Sequence, residues 1–140
     1  EYWNDPHNEN LDFSRVRVRL EVLPVMEEQI GPGIAAALAR SAALLRDDAD
    51  ALDAISATEG RRYDLTDLAC SELELLPRAI RTRILRGAIY AAGAPSGSIS
   101  ADHIGAVEAL ITSWHGQGLV SLPGGVKVER ISGRLSLSNQ

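Results

Sequence analysis

Along residues 33 to 58, GIAAALARSAALLRDDADALDAISAT, apolar positions recur at helical spacing with no internal breaker. Ile34, Leu38, Ala42, Leu45, Leu52 and Ile55 fall near one stripe, which predicts an amphipathic helix of about 25 residues, roughly 37 Å long. Upstream, FSRVRVRLEVLPVMEEQI (13 to 30) fits two periods at once. Val16, Val18, Leu20 and Val22 alternate as in a strand, whereas Phe13, Val16, Leu20 and Leu23 follow a helix. Asp12 as an N-cap and the acidic MEEQ continuation favour a helix, kinked near Pro24. Gly31-Pro32-Gly33 separates this element from the long helix, and residues 1 to 11 carry turn formers without apolar periodicity.

After a turn at EGRRYD (59 to 64), LTDLACSELELL (65 to 76) predicts a short helix. PRAIRTRILRGAIYAAG (77 to 93) predicts another, with Pro77 in its first turn and Gly93 past its end. APSGSIS is a loop whose Ser100 caps a further helix, ADHIGAVEALITSWHGQG (101 to 118). From Gly118 the period changes. GLVSLPGGVKVERISGRLSLS alternates apolar and polar residues across two turns, Pro123-Gly124-Gly125 and Ser132-Gly133, which predicts an antiparallel meander. The fold class is mainly α, a helical bundle with a small C-terminal antiparallel β-meander.

Composition narrows the chemistry. The 140 residues are 45% apolar, enough for a real core, and the net charge of −5 argues against indiscriminate nucleic-acid binding. Any RNA contact must be local. Lys127 is the only lysine, so the basic residues are nearly all arginine and suited to planar, bidentate contacts. No apolar run reaches membrane-spanning length, no signal peptide opens the sequence, and the lone Cys70 suits a reducing compartment; the expectation is a cytoplasmic domain that does not engage membranes.

His7, His103 and His115 are scattered and Cys70 has no partner nearby in sequence, so no metal site is expected. The acidic run Asp47, Asp48, Asp50 and Asp53 reads as a solvated helix face, with Arg46 and Asp50 spaced to pair. No G-x-x-x-x-G-K-[ST] phosphate loop occurs. Two arginine groups remain. Arg15 and Arg19 share one helix face, placed either to clamp an anion or to form ordinary salt bridges. Arg78, Arg81, Arg83 and Arg86 interleave with Ile80, Ile84 and Leu85, so the apolar stripe packs inward and leaves arginines flanking an exposed surface, either merely solvated or set against RNA phosphate.

These residues carry a resemblance. Trp3, Asp5, Asn8, Phe13, Arg15, Arg19, Leu23 and Pro24 resemble the Trp-x-x-Asp-x-x-Asn, aromatic, Arg, Arg, Leu-Pro pattern that ends the catalytic domain of bacterial tRNA(Ile)-lysidine synthetases. LPRAIRTRILRGAI and LPGGVKVERISGRLSL are similar to that family's helical substrate-binding domain and its terminal β-element. Val16 replaces the asparagine common after the first motif arginine, and Asn4 stands where an acidic residue is usual. The family's Ser-Gly-Gly-x-Asp-Ser ATP loop is absent.

The resemblance implies a carboxy-terminal portion of the short family form. Residues 1–30 would be the remnant and linker helix of the catalytic domain, and 31–140 the helical tRNA-binding domain ending in the meander. It implies an ATP-dependent ligase (ATP with Mg) that adenylates C2 of the wobble cytidine of tRNA(Ile) and lets the lysine amine displace AMP. Asp5 and Asn8 would meet the lysine ammonium or the activated nucleotide, and Arg15 and Arg19 would neutralise phosphate charge. Arg78, Arg81, Arg83 and Arg86 would contact the tRNA backbone. ATP, lysine and tRNA(Ile) are then partners of the whole enzyme, whose catalytic domain is missing here, and this portion alone is expected to bind no cofactor and to be inactive. The rival expectation is a non-catalytic helical module that binds another protein.

Overall fold

A computed structural model describes residues 9–139, and the chain divides into two compact units, residues 1–48 and 49–140. The motif positions Asp5 and Asn8 lie outside the described residues.

In the first unit, helix α1 (Ser14–Arg17) runs into a π-turn over Val18–Val22 and on into α2 (Leu23–Gln29). The helical reading of this ambiguous stretch is correct, and the interruption falls just before Pro24. A proline has no N–H to donate, and its ring crowds the carbonyl four residues earlier, here that of Leu20; the wider turn accommodates both defects. Asp12 does not cap the helix. The N-cap residue is Phe13, no side chain caps it, and the Asp12 N–H instead donates to Asn10 Oδ1 at 2.9 Å. Aspartate stands one residue too early. Arg17 secures the turn, donating to the carbonyls of Leu11 and Asp12 at 2.7 and 3.1 Å and to Ser14 Oγ at 3.0 Å.

Helix α3 (Ile34–Gly60) is the predicted long helix. Its start is capped from the preceding element: Glu27 accepts from the backbone N–H groups of Gly33 (2.6 Å) and Ala35 (2.7 Å). These bonds, that of Ala35 foremost, hold the Glu27 carboxyl below its usual range. The predicted apolar stripe is not a buried one. Leu38, Leu45 and Ile55 are exposed, and Ser56 is the one buried residue of α3. Many of its apolar positions are alanines, which offer little area to bury, and Ser56 closes its own helix by donating to the Leu52 carbonyl at 2.7 Å.

The second unit holds the main core. Strand β1 (Asp67–Ala69), helix α4 (Cys70–Glu74), helix α5 (Arg78–Ala91) and helix α6 (Ala101–Thr112) precede strands β2 (Val120–Ser121), β3 (Val126–Ile131) and β4 (Arg134–Asn139). The stretch expected to be one short helix is therefore a strand followed by a helix. All strand pairings are antiparallel, in the order β1-β4-β3-β2. The predicted meander is β2-β3-β4, and β1 adds to its far edge with Leu68 opposite Leu135. Ile131 pairs with Arg134 across Ser132 (φ 49°) and Gly133 (φ 80°). Two consecutive positive φ values make a type I′ turn, whose twist matches the strands it joins.

Alternation along β3 and β4 points Val126, Val128, Leu135 and Leu137 inward, where they meet Leu85, Ile89, Val107 and Leu110 of the helices. α5 ends as expected at Gly93 (φ 109°): Gly93 N–H donates to the Tyr90 carbonyl and Ala94 N–H to that of Ile89, a Schellman closure. α6 opens with the expected cap. Ser100 Oγ accepts from the His103 N–H, and His103 Nδ1 accepts from the Ser100 N–H. Among the described residues no helix is long and apolar enough to cross a membrane.

Candidate nucleic-acid interface

Helix α5 carries the four arginines singled out from the sequence, and the fold sends them to different environments. Ile80, Ile84 and Leu85 pack into the core as expected. Arg81, placed one position beyond Ile80, goes inward with them and is buried, which corrects the expectation that all four flank an exposed surface. Its Nε and Nη2 donate to Glu108 Oε1 at 3.1 and 2.8 Å, and its Nη1 donates to the carbonyls of Leu73, Glu74 and Leu76. A guanidinium has donors enough to neutralise Glu108 and to satisfy the open carbonyls at the end of α4 together. The apolar periodicity showed which face of α5 is inward, but not that Glu108 of α6 would be waiting there.

Arg78 reaches the other oxygen of Glu108 at 3.0 Å while its side chain stays largely in solvent. Arg83 donates to Asp53 of α3 and to the Ala79 carbonyl. That pairing gives Asp53 a partner unforeseen in the sequence, since the acidic run read as solvated throughout. Arg86 is exposed and has no hydrogen-bond or ion-pair partner among the described residues. The four thus grade from a buried structural cation, through two paired surface cations, to one open guanidinium.

In the first unit Arg15 and Arg19 are both exposed, and the Arg15 guanidinium lies 4.7 Å from the centre of the Phe13 ring. That contact restrains the side chain without neutralising its charge. In the second unit an arginine outside both groups escaped sequence reasoning. Arg130 on β3 caps α6, donating to the Leu110 and Ile111 carbonyls at 2.8 and 3.3 Å, and it stacks 5.2 Å from the centre of the Trp114 ring. The cap comes from a strand residue 20 positions beyond Leu110 in sequence, so no local signal announces it.

Cys70 is buried, and burial pushes its thiol above the usual range. It is a core residue. Among the described residues no three His, Cys, Asp or Glu side chains gather closely enough to hold a metal ion.

Helix α5 thus carries its arginines on a mainly helical unit closed by a small antiparallel sheet. Residues 68–136 match the family described as the TilS substrate binding domain. Along its length the chain aligns with proteins named tRNA(Ile)-lysidine synthase. It is 49% identical to that of Thermobifida fusca over 140 residues, covering 99% of this chain, and 50% identical to that of Streptomyces coelicolor over 135 residues, covering 95%. The Mycobacterium tuberculosis protein is 40% identical over 136 residues, covering 92%. The chain spans about two fifths of the length of these relatives, 43%, 38% and 41% respectively.

Proposed function

We propose that this chain is the carboxy-terminal, tRNA-binding region of a cytoplasmic tRNA(Ile)-lysidine synthase, the enzyme that joins lysine to C2 of the wobble cytidine of tRNA(Ile). The observation that carries this reading is the relationship to lysidine synthases over nearly the whole chain.

In this reading the helical and β units hold tRNA while the chemistry takes place in the remainder of the enzyme. ATP with Mg supplies the adenylyl group that turns the C2 oxygen into part of a leaving group. The sequence has no glycine-rich phosphate loop to hold it, so ATP and lysine are assigned to the rest of the protein. Arg15 and Arg19 stand exposed near that boundary and neutralise phosphate charge as it develops. Asp5 and Asn8 offer a carboxylate and an amide to the lysine ammonium. Of the α5 arginines, Arg78, Arg83 and Arg86 meet the RNA backbone, and Arg81 holds the helix that presents them.

The full-length protein should transfer labelled lysine to tRNA(Ile) bearing a wobble cytidine, with Arg15→Gln or Arg19→Gln lowering kcat more than tRNA affinity. The isolated chain should bind tRNA with salt-dependent affinity yet transfer no lysine. Absence of lysine transfer by the full-length protein would sink the reading. The alternative, a helical module that docks another protein, draws on the exposed Leu38, Leu44 and Leu45 of α3. It predicts no tRNA binding at all.

A further inference from the structure

Within the second unit the last two turns of α3 and the turn after it stand apart from α5, leaving an open groove of about 520 Å³. Its apolar lining includes the buried Ile84, the half-buried Leu65, Tyr63 and Tyr90, and the exposed Ala57 and bare backbone of Gly87. Its rim carries Arg61, Arg83 and Arg86. Arg83 is matched by Asp53, whereas Arg61 and Arg86 are exposed and without partners among the described residues. A second recess of about 350 Å³ shares Asp53, Arg83 and Arg86. Two uncompensated guanidinium groups thus face one slot in a chain whose net charge is −5.

We infer that this groove seats one unstacked nucleotide of the tRNA, its base on the apolar lining and its flanking phosphates on Arg61 and Arg86. The inference rests on the tRNA-binding reading and deepens it by naming the place and the form of RNA engaged. A base presents a π-face that needs no hydrogen bond from the lining, and tyrosine rings and guanidinium planes are its usual stacking partners. Phosphates meet arginine at the rim, where water has already solvated both and the desolvation cost is low. A peptide would fit less well. The walls are helices whose backbone groups are already bonded, so an inserted strand would find few partners for its own N–H and C=O groups. Base-paired nucleotides cannot enter, because their faces are occupied in the stack.

Gly87 makes the groove testable without touching charge. A Cβ added there meets nothing within 4 Å, and its backbone is helical, so larger side chains project into the slot without strain. In the full-length protein, Gly87→Phe should weaken tRNA(Ile) binding about tenfold, the worth of one stacked base, and Gly87→Ala several-fold less than that. The double variant Arg61→Gln/Arg86→Gln should lower the slope of log affinity against log salt by about 1.5, as loss of two phosphate contacts requires. tRNA carrying 4-thiouridine should photocrosslink to residues 61–65 or 83–90, and the crosslink should vanish in Gly87→Phe.

Unchanged affinity, slope and crosslinking in these variants, in a protein that still binds tRNA, would overturn the inference and leave the proposed function standing. So would full tRNA affinity in a Gly87→Phe protein that melts well below Gly87→Ala, since the groove would then hold a segment of the protein itself. Displacement of the crosslink by free AMP alone would assign the slot to a mononucleotide and overturn it too. A protein with no affinity for tRNA would remove both readings together.

Discussion

Glu108 and Glu27 show how one carboxylate acquires opposite roles from its surroundings. Glu108 is buried between Arg81, itself buried, and Arg78, which is solvated. Removing its charge leaves Arg81 desolvated and unpaired, whereas removing Arg78 loses only a screened surface pair. Urea denaturation should therefore show Glu108→Gln destabilising by about 3 to 5 kcal/mol, against less than about 1 kcal/mol for Arg78→Gln. Equal losses would mean that the pair is not buried as described. Glu27 lies at the surface, and its capping bonds favour the charged form. A carboxyl held below its unfolded value of 4.5 contributes stability above that pH and loses it as pH falls through the lowered folded value. The amide resonances of Gly33 and Ala35 should shift together in acid with a midpoint below 4.5, and should not do so in Glu27→Gln. A midpoint at or above 4.5 would show that the cap is not formed.

Among the elements, the meander and the helix ends separate local from distant causes. Pro123, with its fixed φ, and Gly124 and Gly125, with their backbone freedom, marked a turn on local grounds alone, and the turn is there. What the local pattern did not show is that Gly124 (φ 78°) sits against other chain: a Cβ would lie 2.6 Å from Pro95 Cδ and 3.0 Å from the Gly93 carbonyl. Gly124→Ala should cost roughly 2 kcal/mol or more through left-handed strain and clash, read as a lowered melting temperature. A neutral substitution would show that the loop after α5 and the turn before β3 do not touch. Ser100, Gly93 and the Ser132-Gly133 turn were legible because their signals lie within a few residues of the bonds they make. β1 was not. Three residues carry too little alternation to be read as a strand, and its hydrogen-bond partner β4 lies more than 60 residues away.

At the scale of the molecule, the two units differ in how much they bury. The second contains the Leu68, Leu85, Ile89, Val128 and Leu135 core, while the first exposes Leu20, Val22, Val25, Leu38 and Leu45 and buries Val16. Amide exchange follows local opening free energy, which tracks buried apolar contact. Backbone amides of β3, β4 and α5 should exchange at least about a hundredfold more slowly than those of residues 34–48 in the isolated chain. Similar protection in both would indicate that the long helix is packed along its length after all.

The sequence by itself determined the helical character of residues 14 to 29, 34 to 60, 78 to 91 and 101 to 112, the meander, the caps at Ser100 and Gly93, and the resemblance to lysidine synthetases. The helices, the meander and the caps follow from backbone preference or from apolar spacing, which act over one or two turns, and the resemblance follows from the identity of particular motif residues. The tertiary structure decided the rest: that Arg81 is a buried counterion, that Asp53 holds Arg83, that Arg130 closes α6, and that Gly87 and Arg61 share a groove. Burial and charge pairing depend on which surfaces meet, and residues about 20 to 30 positions apart have no period that could announce it.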